Sequence, residues 1–412
     1  QQNIATGITY TKDWNESLST TSQFYVSNYD LDATNYDITN NQRLIQENEV
    51  YDGAAKIDIN YAPNHQLKIN GGYQFTEVGI SNLEDVNNPA FRSYIKEVIR
   101  SHSVYAETGL LSNNAETHLK LGARLNYIQK FDMLFAEPRL SFSQRFLNNF
   151  RIEILGEFKS QTTTQIIDLQ NDFLGIEKRR WVLSNNSTIP VLKSKQASAG
   201  IHFNKNKLLI SGEAYIKKVH GITTRSQGFQ NQYQFVNSTG SYEIKGIDFL
   251  LNKQFSDIVS TWISYSYSTN NYMFEALNNG KSFPNNVDIK YVVDFAGTFT
   301  LNNFKLAMGL NWHSGKPVTL PDPNDDPNDN EITYSSPNSS KLKDYLRADC
   351  SATYSFNISD GSRAILGASV WNIFNKKNII NSYYTLDDDN MIIKVENQSL
   401  GITPNVSLRV QF

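Results

Sequence analysis

The sequence predicts an all-β protein, specifically a transmembrane antiparallel up-and-down β-barrel. Three observations lead there. Apolar and polar residues alternate with a period of two along most of the 412 residues, the mark of strands with one apolar and one polar face. Short turn-forming connections alternate with long polar ones, as in a barrel with tight turns at one rim and large loops at the other. The mean hydropathy is polar, at −0.46, yet the chain carries 23 Phe and 22 Tyr. That combination fits strands of which only one face meets lipid, bordered by aromatic girdles. No apolar run approaches the ~18 residues of a membrane helix. A formal charge of −3 leaves no basic footprint for nucleic acid. The single cysteine excludes an intrachain disulfide and a multi-cysteine metal site. Gln1-Gln2-Asn3-Ile4 has no feature of a leader peptide, so the chain reads as mature, processed or a fragment.

In chain order, Leu67, Ile69, Gly71, Tyr73 and Phe75 alternate with Gln66, Lys68, Asn70, Gly72 and Gln74. Residues 89–101 break the rhythm: Phe91, Tyr94, Ile95, Val98 and Ile99 fall at helical spacing and predict a helix. Period two returns at Leu119, Leu121, Ala123, Leu125 and Tyr127, at Tyr291–Phe299, and at Phe304, Leu306, Met308, Leu310 and Trp312. It is clearest where Leu346, Ala348, Cys350, Ala352, Tyr354 and Phe356 face away from Arg347, Asp349, Ser351, Thr353 and Ser355. The chain closes on Val406, Leu408, Val410 and Phe412, interleaved with Ser407, Arg409 and Gln411. Asn-, Asp-, Gly- or Pro-containing turns stand near residues 13–16, 63–65, 112–115, 147–149, 204–206, 255–257, 301–303 and 359–362. Long polar connections are expected over 30–51, 78–101, 160–195, 221–241, 270–286, 314–341 and 375–400. Counting gives about seventeen strands of about nine to fifteen residues, enough to cross the hydrocarbon layer at a tilt. A soluble solenoid or propeller would instead show a fixed repeat length. The count is odd where such barrels are even, so an N-terminal portion is expected to precede residue 1.

Several segments resemble the TonB-dependent outer-membrane receptors, of the type common in Bacteroidetes-like bacteria. Ser369-Val370-Trp371-Asn372-Ile373-Phe374-Asn375-Lys376-Lys377 is similar to that family's penultimate strand end, and Gly401 to Phe412 to its closing strand. Ala136-Glu137-Pro138-Arg139-Leu140, Tyr242-Glu243-Ile244-Lys245-Gly246-Ile247-Asp248, Ser314-Gly315-Lys316-Pro317 and Asp344-Tyr345-Leu346-Arg347-Ala348-Asp349 resemble further barrel signatures. The resemblance covers essentially the whole chain. It implies a barrel of 22 strands, of which residues 1–412 would be about the last seventeen. The family's plug domain and TonB-contacting segment have no counterpart in the sequence. The function implied is active import across the Gram-negative outer membrane of a scarce nutrient: a metal chelate, a cobalamin-like ligand, a glycan or a peptide. The inner-membrane TonB complex would supply proton-gradient energy, and a surface lipoprotein could cap the barrel.

The residues themselves suggest finer roles. The apolar faces should meet lipid, with Tyr10, Tyr61, Tyr73, Phe75, Phe146, Phe158, Tyr265, Tyr267, Phe299, Trp312 and Phe356 as girdle candidates. Arg124, Arg139, Arg145, Arg151, Glu153, Glu157, Arg347, Asp349 and Arg409 should line the lumen. Loop residues Arg179, Arg180 and Trp181 are ligand candidates, because guanidinium forks and an aromatic plane suit an anionic ligand; a strand end at the lipopolysaccharide level is the alternative. Tyr272 and Tyr334 are further loop candidates. Phe412 and Val410 form a terminal signature suited to strand capture by barrel-assembly machinery. Asp322, Asp325, Asp326 and Asp329 could offer hard oxygen ligands to Ca²⁺, but Pro327 stands where a calcium loop needs Gly, so a solvated acidic loop and no metal is the expectation. Asp387 to Asn390 reads as a hairpin turn. The six histidines are scattered, and no metalloprotease, nucleophile-elbow or phosphate-loop motif occurs, so neither an enzyme nor a cofactor is expected. A passive porin or surface adhesin is the alternative reading, and a barrel enzyme with a site assembled from distant loops is a further one.

Overall fold

The computed structural model describes residues 1–38, 41–167, 179–229, 231, 233, 236–323, 331–387 and 389–412. Its strands are β1 (Gln2–Asn15), β2 (Leu18–Asp37), β3 (Gln42–Tyr61), β4 (Leu67–Asn87), β5 (Ala90–Leu111), β6 (Thr117–Ile128), β7 (Met133–Phe146), β8 (Phe150–Gln161), β9 (Thr163–Ile167), β10 (Arg179–Leu183), β11 (Leu192–Lys205), β12 (Leu208–Thr223), β13 (Thr239–Gln254), β14 (Val259–Phe274), β15 (Phe283–Pro284), β16 (Tyr291–Leu301), β17 (Phe304–His313), β18 (Pro317–Val318), β19 (Ser340–Lys341), β20 (Tyr345–Ser359), β21 (Ser362–Trp371), β22 (Ile379–Leu386), β23 (Ile392–Gln398) and β24 (Thr403–Gln411). Seventeen long strands and the two-residue β15 form one antiparallel sheet. Each long strand pairs with the next one in chain order, as in β7 with β8, β8 with β11 and β21 with β24. This is the up-and-down topology that alternating short and long connections predict.

The registers carry the alternation from strand to strand. Leu310 lies opposite Phe295 and Ala348, and Met308 opposite Gly297 and Cys350. Beyond Cys350 the same row continues to Val370. The result is a continuous apolar face whose members stay exposed: Ile8, Val104, Leu125, Ile247, Val406 and Leu408 are all 47% or more accessible. The opposite face is polar and concave. Arg124 on β6 donates to Gln74 on β4 across the intervening β5 (3.1 Å), Arg347 makes a two-bond fork with Asp349 (2.8 and 2.7 Å), and Asn311 donates to Asp294. Two apolar clusters also pack on this inner face. One joins Ile80, Ile99, Ile128, Leu183 and Val191. The other joins Val219, Ile222, Phe229, Tyr272, Phe274, Leu277 and Phe283.

Two expectations are corrected. Residues 89–101 form no helix; Pro89 lies in the turn and 90–101 belong to β5, which pairs with β4 from Asn87↔Ala90 to Leu67↔Leu110. The apparent helical period came from a strand with apolar residues on both faces. Ile99 packs into the inner cluster, while Tyr94 and Val98 point outward and stay exposed. Nor are 30–51 and 78–101 irregular loops. The β2–β3 and β4–β5 ladders continue through them to Asp37↔Gln42 and Asn87↔Ala90, because Asn, Gln and charged residues pair as well as apolar ones when the sheet stands in water.

The late-barrel motifs explain themselves locally. Asn372 and Asn375 adopt left-handed backbone (φ 52° and 48°). The Asn372 side chain donates to the carbonyls of Lys376 and Leu400 and accepts from the Lys376 N–H (2.9, 2.9 and 3.1 Å). Its own N–H donates to Asp349 (2.9 Å), so two of the motif-bearing segments meet at one strand end. Among the described residues β1 pairs only with β2, and β24 only with β21, leaving two strand edges.

Candidate ligand-binding site

At the loop rim, four connections fold inward over the concave face. The β12–β13 connection begins with a 3₁₀ turn capped by Thr223 and Ser226 and drops Phe229, 3% exposed, into the aromatic cluster. The β14–β16 connection doubles back through β15, pairing Tyr272↔Phe283. Buried Asp288 secures it by accepting the Asn270 N–H at 2.7 Å. The β17–β20 connection is a long hairpin built on β18 paired with β19 and a bridge between Pro321 and Tyr334. Gly315 is required at its base: a Cβ there would lie 1.7 Å from the Leu342 carbonyl oxygen. The β21–β24 connection is the β22–β23 hairpin, turned at Asp387, which accepts the N–H groups of Asp389 and Met391 (3.0 and 2.8 Å).

Asn338, 6% exposed, ties these connections together. Its Nδ2 donates to the Pro284 carbonyl and to Asn286 Oδ1 (both 2.8 Å). Its Oδ1 accepts from Thr319 Oγ1 (3.3 Å). Asn286 in turn donates to the Gln227 carbonyl (2.9 Å), and Tyr233 donates to the Ser335 carbonyl (3.3 Å). The connections enclose a cavity of about 370 Å³. Its wall includes the amides of Gln227, Asn286 and Asn338, the rings of Tyr334, Tyr383 and Tyr384, and the cations Arg179 and Lys316; the described lining holds no carboxylate, histidine or cysteine. Tyr334 and Tyr384 meet edge-on, 6.5 Å between centroids. Burial lowers the pKa of Lys316 below the ordinary lysine value, and none of the described carboxylates pairs with it. Ser382 is 6% exposed and its hydroxyl has no hydrogen-bond partner. The cavity therefore presents a partly desolvated cation, amide donors and flat rings, which suits an oxygen-rich, anionic ligand.

The sequence-derived candidates divide. Arg179 and Tyr334 line the cavity. Tyr272 lies just behind it: 2% exposed, it packs against Phe229, Phe274 and Phe283 and donates to Gln227 Oε1 at 3.0 Å. From there it backs the cavity wall. Arg180 and Trp181 belong to β10, which is laid on the inner wall of β3 and β4. Arg180 pairs with Glu84 (3.0 Å). The Trp181 N–H donates to Asn48 Oδ1 (3.1 Å), and its carbonyl accepts from Asn48 and Asn82 (3.3 and 3.1 Å). Asp322 donates its N–H to Thr333 (2.8 Å), whereas Asp325, Asp326 and Asp329 lie outside the described residues. Among the described residues no three metal-ligating side chains cluster. Phe412 is 98% exposed and Val410 sits on the outward face of edge strand β24. Sequence reading missed Lys316, Ser382, Tyr383, Tyr384 and Asn338; the one available signal was a lysine amid apolar and turn residues in Ser314-Gly315-Lys316-Pro317.

The family model of the TonB dependent receptor-like β-barrel matches residues 1–373. Among solved structures, the ferric citrate transporter FecA in its unliganded form aligns with a TM-score of 0.71 at 10% identity, over 99% of this chain and 61% of that one. The copper transporter OprC aligns at 0.66 and 12% identity, over 98% and 64% of the two chains. The ferric yersiniabactin uptake receptor FyuA from Yersinia pestis aligns at 0.66 and 9%, over 100% and 61%. At such identities the likeness is one of fold, and the chain spans less than two thirds of each of these structures. No curated protein sequence gives a significant match.

Proposed function

The chain belongs to the TonB-dependent receptor-like β-barrel family, and from that premise we propose that it is the barrel of an outer-membrane transporter importing a scarce, anionic, oxygen-rich nutrient. The cavity beneath the inward-folded loops carries this reading. It pairs Lys316, a cation without a protein counter-ion among the described residues, with amide donors and tyrosine rings. A pocket of this size takes a small ligand or part of a larger one. A metal chelate bearing carboxylates, a cobalamin-like ligand, an acidic glycan segment or an acidic peptide each fits that chemistry. The exposed apolar outer face supports a place in the outer membrane, among lipid and lipopolysaccharide. The unpaired edges of β1 and β24 favour completion by further strands, since open edges in lipid leave backbone groups unsatisfied at several kcal/mol each. In this reading residues 1–412 are barrel, a plug fills the lumen, and a segment carried by the plug contacts the TonB complex, which supplies energy from the proton gradient. Val410 and Phe412 serve assembly into the membrane, and any capping lipoprotein would sit on the loop rim.

Uptake and binding test the proposal together. Cells carrying the full-length receptor are expected to accumulate a labelled anionic ligand, lose that accumulation with a proton uncoupler, and lose binding when Lys316 becomes Ala. Accumulation that survives the uncoupler would make the protein a passive pore. Binding indifferent to ligand charge would remove the assigned chemistry.

A further inference from the structure

The outward face of β8 and β11–β14 carries a feature the transport reading does not use. Four cross-strand rows can be read down it from the loop rim. The first is Phe158–Lys195–Lys218–Glu243 and the second Gly156–Ala197–Ile216–Lys245. The third is Ile154–Ala199–Ala214–Ile247, which ends on Tyr267, and the fourth Ile152–Ile201–Gly212–Phe249. Small residues in the second and third rows leave a hollow of about 710 Å³ between Ile154 on one side and Ile216, Ile247 and Tyr267 on the other, with Lys245 at its top.

Directly above the hollow, Lys195 and Lys218 stand as cross-strand partners, a like-charge juxtaposition that destabilises a sheet unless something anionic answers it. The one carboxylate of the cluster, Glu243, is already engaged by both Lys218 (2.6 Å) and Lys245. Lys195 instead reaches over the Phe158 ring, 4.9 Å from its centroid, so the three lysines and one carboxylate leave a net charge of about +2 at the edge of an apolar hollow. From the Lys195 row to the Ile201 row is six residues, about 20 Å along a strand. At a barrel tilt of about 45° that is roughly 14 Å along the membrane normal, close to the ~15 Å depth of one leaflet's hydrocarbon.

We propose that this face is a binding site for a phosphorylated lipid of the outer leaflet, its phosphate held by Lys195, Lys218 and Lys245 and one acyl chain lying in the hollow over Ala197, Ala199 and Ala214. Charge selects the headgroup and the missing side-chain volume selects the chain. A zwitterionic lipid would fill the hollow but leave the excess positive charge of the three lysines uncompensated. The site lies on the opposite side of the wall from the loop cavity. It rests on the outer-membrane placement but not on the identity of the transported ligand.

The test uses the full-length receptor purified from outer membranes in mild detergent, with lipid released by denaturation and counted by phosphate analysis and mass spectrometry. About one phosphorylated lipid per barrel is expected to survive washing. The triple variant Lys195→Ala/Lys218→Ala/Lys245→Ala should reduce it at least tenfold. Ala199→Phe/Ala214→Phe, which fills the hollow with the lysines intact, should reduce it several-fold. Lys253→Ala at the other rim should change nothing. Heat-modifiable gel mobility reports that each variant is a folded barrel. A folded wild-type barrel that retains no phosphorylated lipid, or equal retention by the triple variant, overturns the lipid site alone. A protein that never partitions into the outer membrane overturns both this site and the transport reading.

Discussion

Asn338→Ala offers the sharpest test of how the loop roof is held. The side chain makes three hydrogen bonds, to the Pro284 carbonyl, Asn286 and Thr319, from a position 6% exposed. Truncation removes all three and leaves the Pro284 carbonyl and the Asn286 and Thr319 side chains to find partners in a closed space. Each bond contributes about 0.5–1.5 kcal/mol net, and an abandoned buried group costs about 1–3 kcal/mol. Allowing for partial relaxation, about 3 kcal/mol should be lost from the local closing of the β14–β16 and β17–β20 connections. At 1.4 kcal/mol per decade this corresponds to roughly a hundredfold rise in the local opening constant. Hydrogen-exchange mass spectrometry reads it directly. Amides near residues 283–290 and 317–320 should exchange about a hundredfold faster, while those in the β11–β13 wall keep their rates. A change of less than about threefold would refute the assignment of Asn338 as the tie between these connections. Uniform acceleration over the wall would mean that the roof and barrel open as one unit.

Other predictions follow from single contacts. Gly315→Ala drives a methyl against the Leu342 carbonyl and should cost at the upper end of the 1–3 kcal/mol typical of overpacking, seen as faster proteolytic cleavage of the β17–β20 connection; cleavage at the wild-type rate would show the hairpin base to be pliable. Asn48→Ala removes two of the three bonds that hold the Trp181 backbone, leaving that from Asn82, so amide protection over Arg179–Leu183 should fall at least tenfold, and unchanged protection would assign the docking to Asn82, the Arg180–Glu84 pair and the apolar cluster instead. Because burial lowers the Lys316 pKa, the folded protein holds this proton less tightly than an unfolded chain does. Affinity for an anionic ligand should therefore be full at neutral pH and fall as pH rises through a midpoint below the ordinary lysine value. Lys316→Arg should move that fall beyond the measurable range, and a pH profile identical in Lys316→Arg would exclude Lys316 as the titrating group.

The wall of the barrel was legible because a period of two needs no tertiary information. The alternation around Cys350 survives into the register with β17 and β21, and the turn residues around Asn148, Asn206 and Asn302 adopt the left-handed backbone that Asn tolerates. The segment 89–101 was illegible for a physical reason. A strand that buries Ile99 inward and carries Tyr94 and Val98 outward is apolar on both faces, and its spacing then mimics a helix. The cavity was harder still. Lys316, Gln227, Asn338 and Ser382 come from three connections that meet only in space, joined by contacts such as Phe229 against Tyr272 and Phe283 and Asn338 with Asn286, and no local pattern encodes that meeting. Arg180 and Trp181 drew notice for chemistry that the fold spends instead on Glu84 and Asn48.

The ladders of β2–β3 and β4–β5 run for 20 to 22 residues per strand, where about 9–11 suffice to cross the bilayer. In the proposed membrane placement the excess, roughly 30 Å or more at 3.4 Å per residue, would stand as a stiff palisade in the aqueous layer beyond the lipid. A partner approaching the cell on that side meets backbone that is already ordered. It need not freeze a loop to gain a contact, so binding there escapes much of the entropy that ordering normally costs. In the proposed transporter, the same order would make the mouth of the barrel a gauge of ligand size as well as of charge.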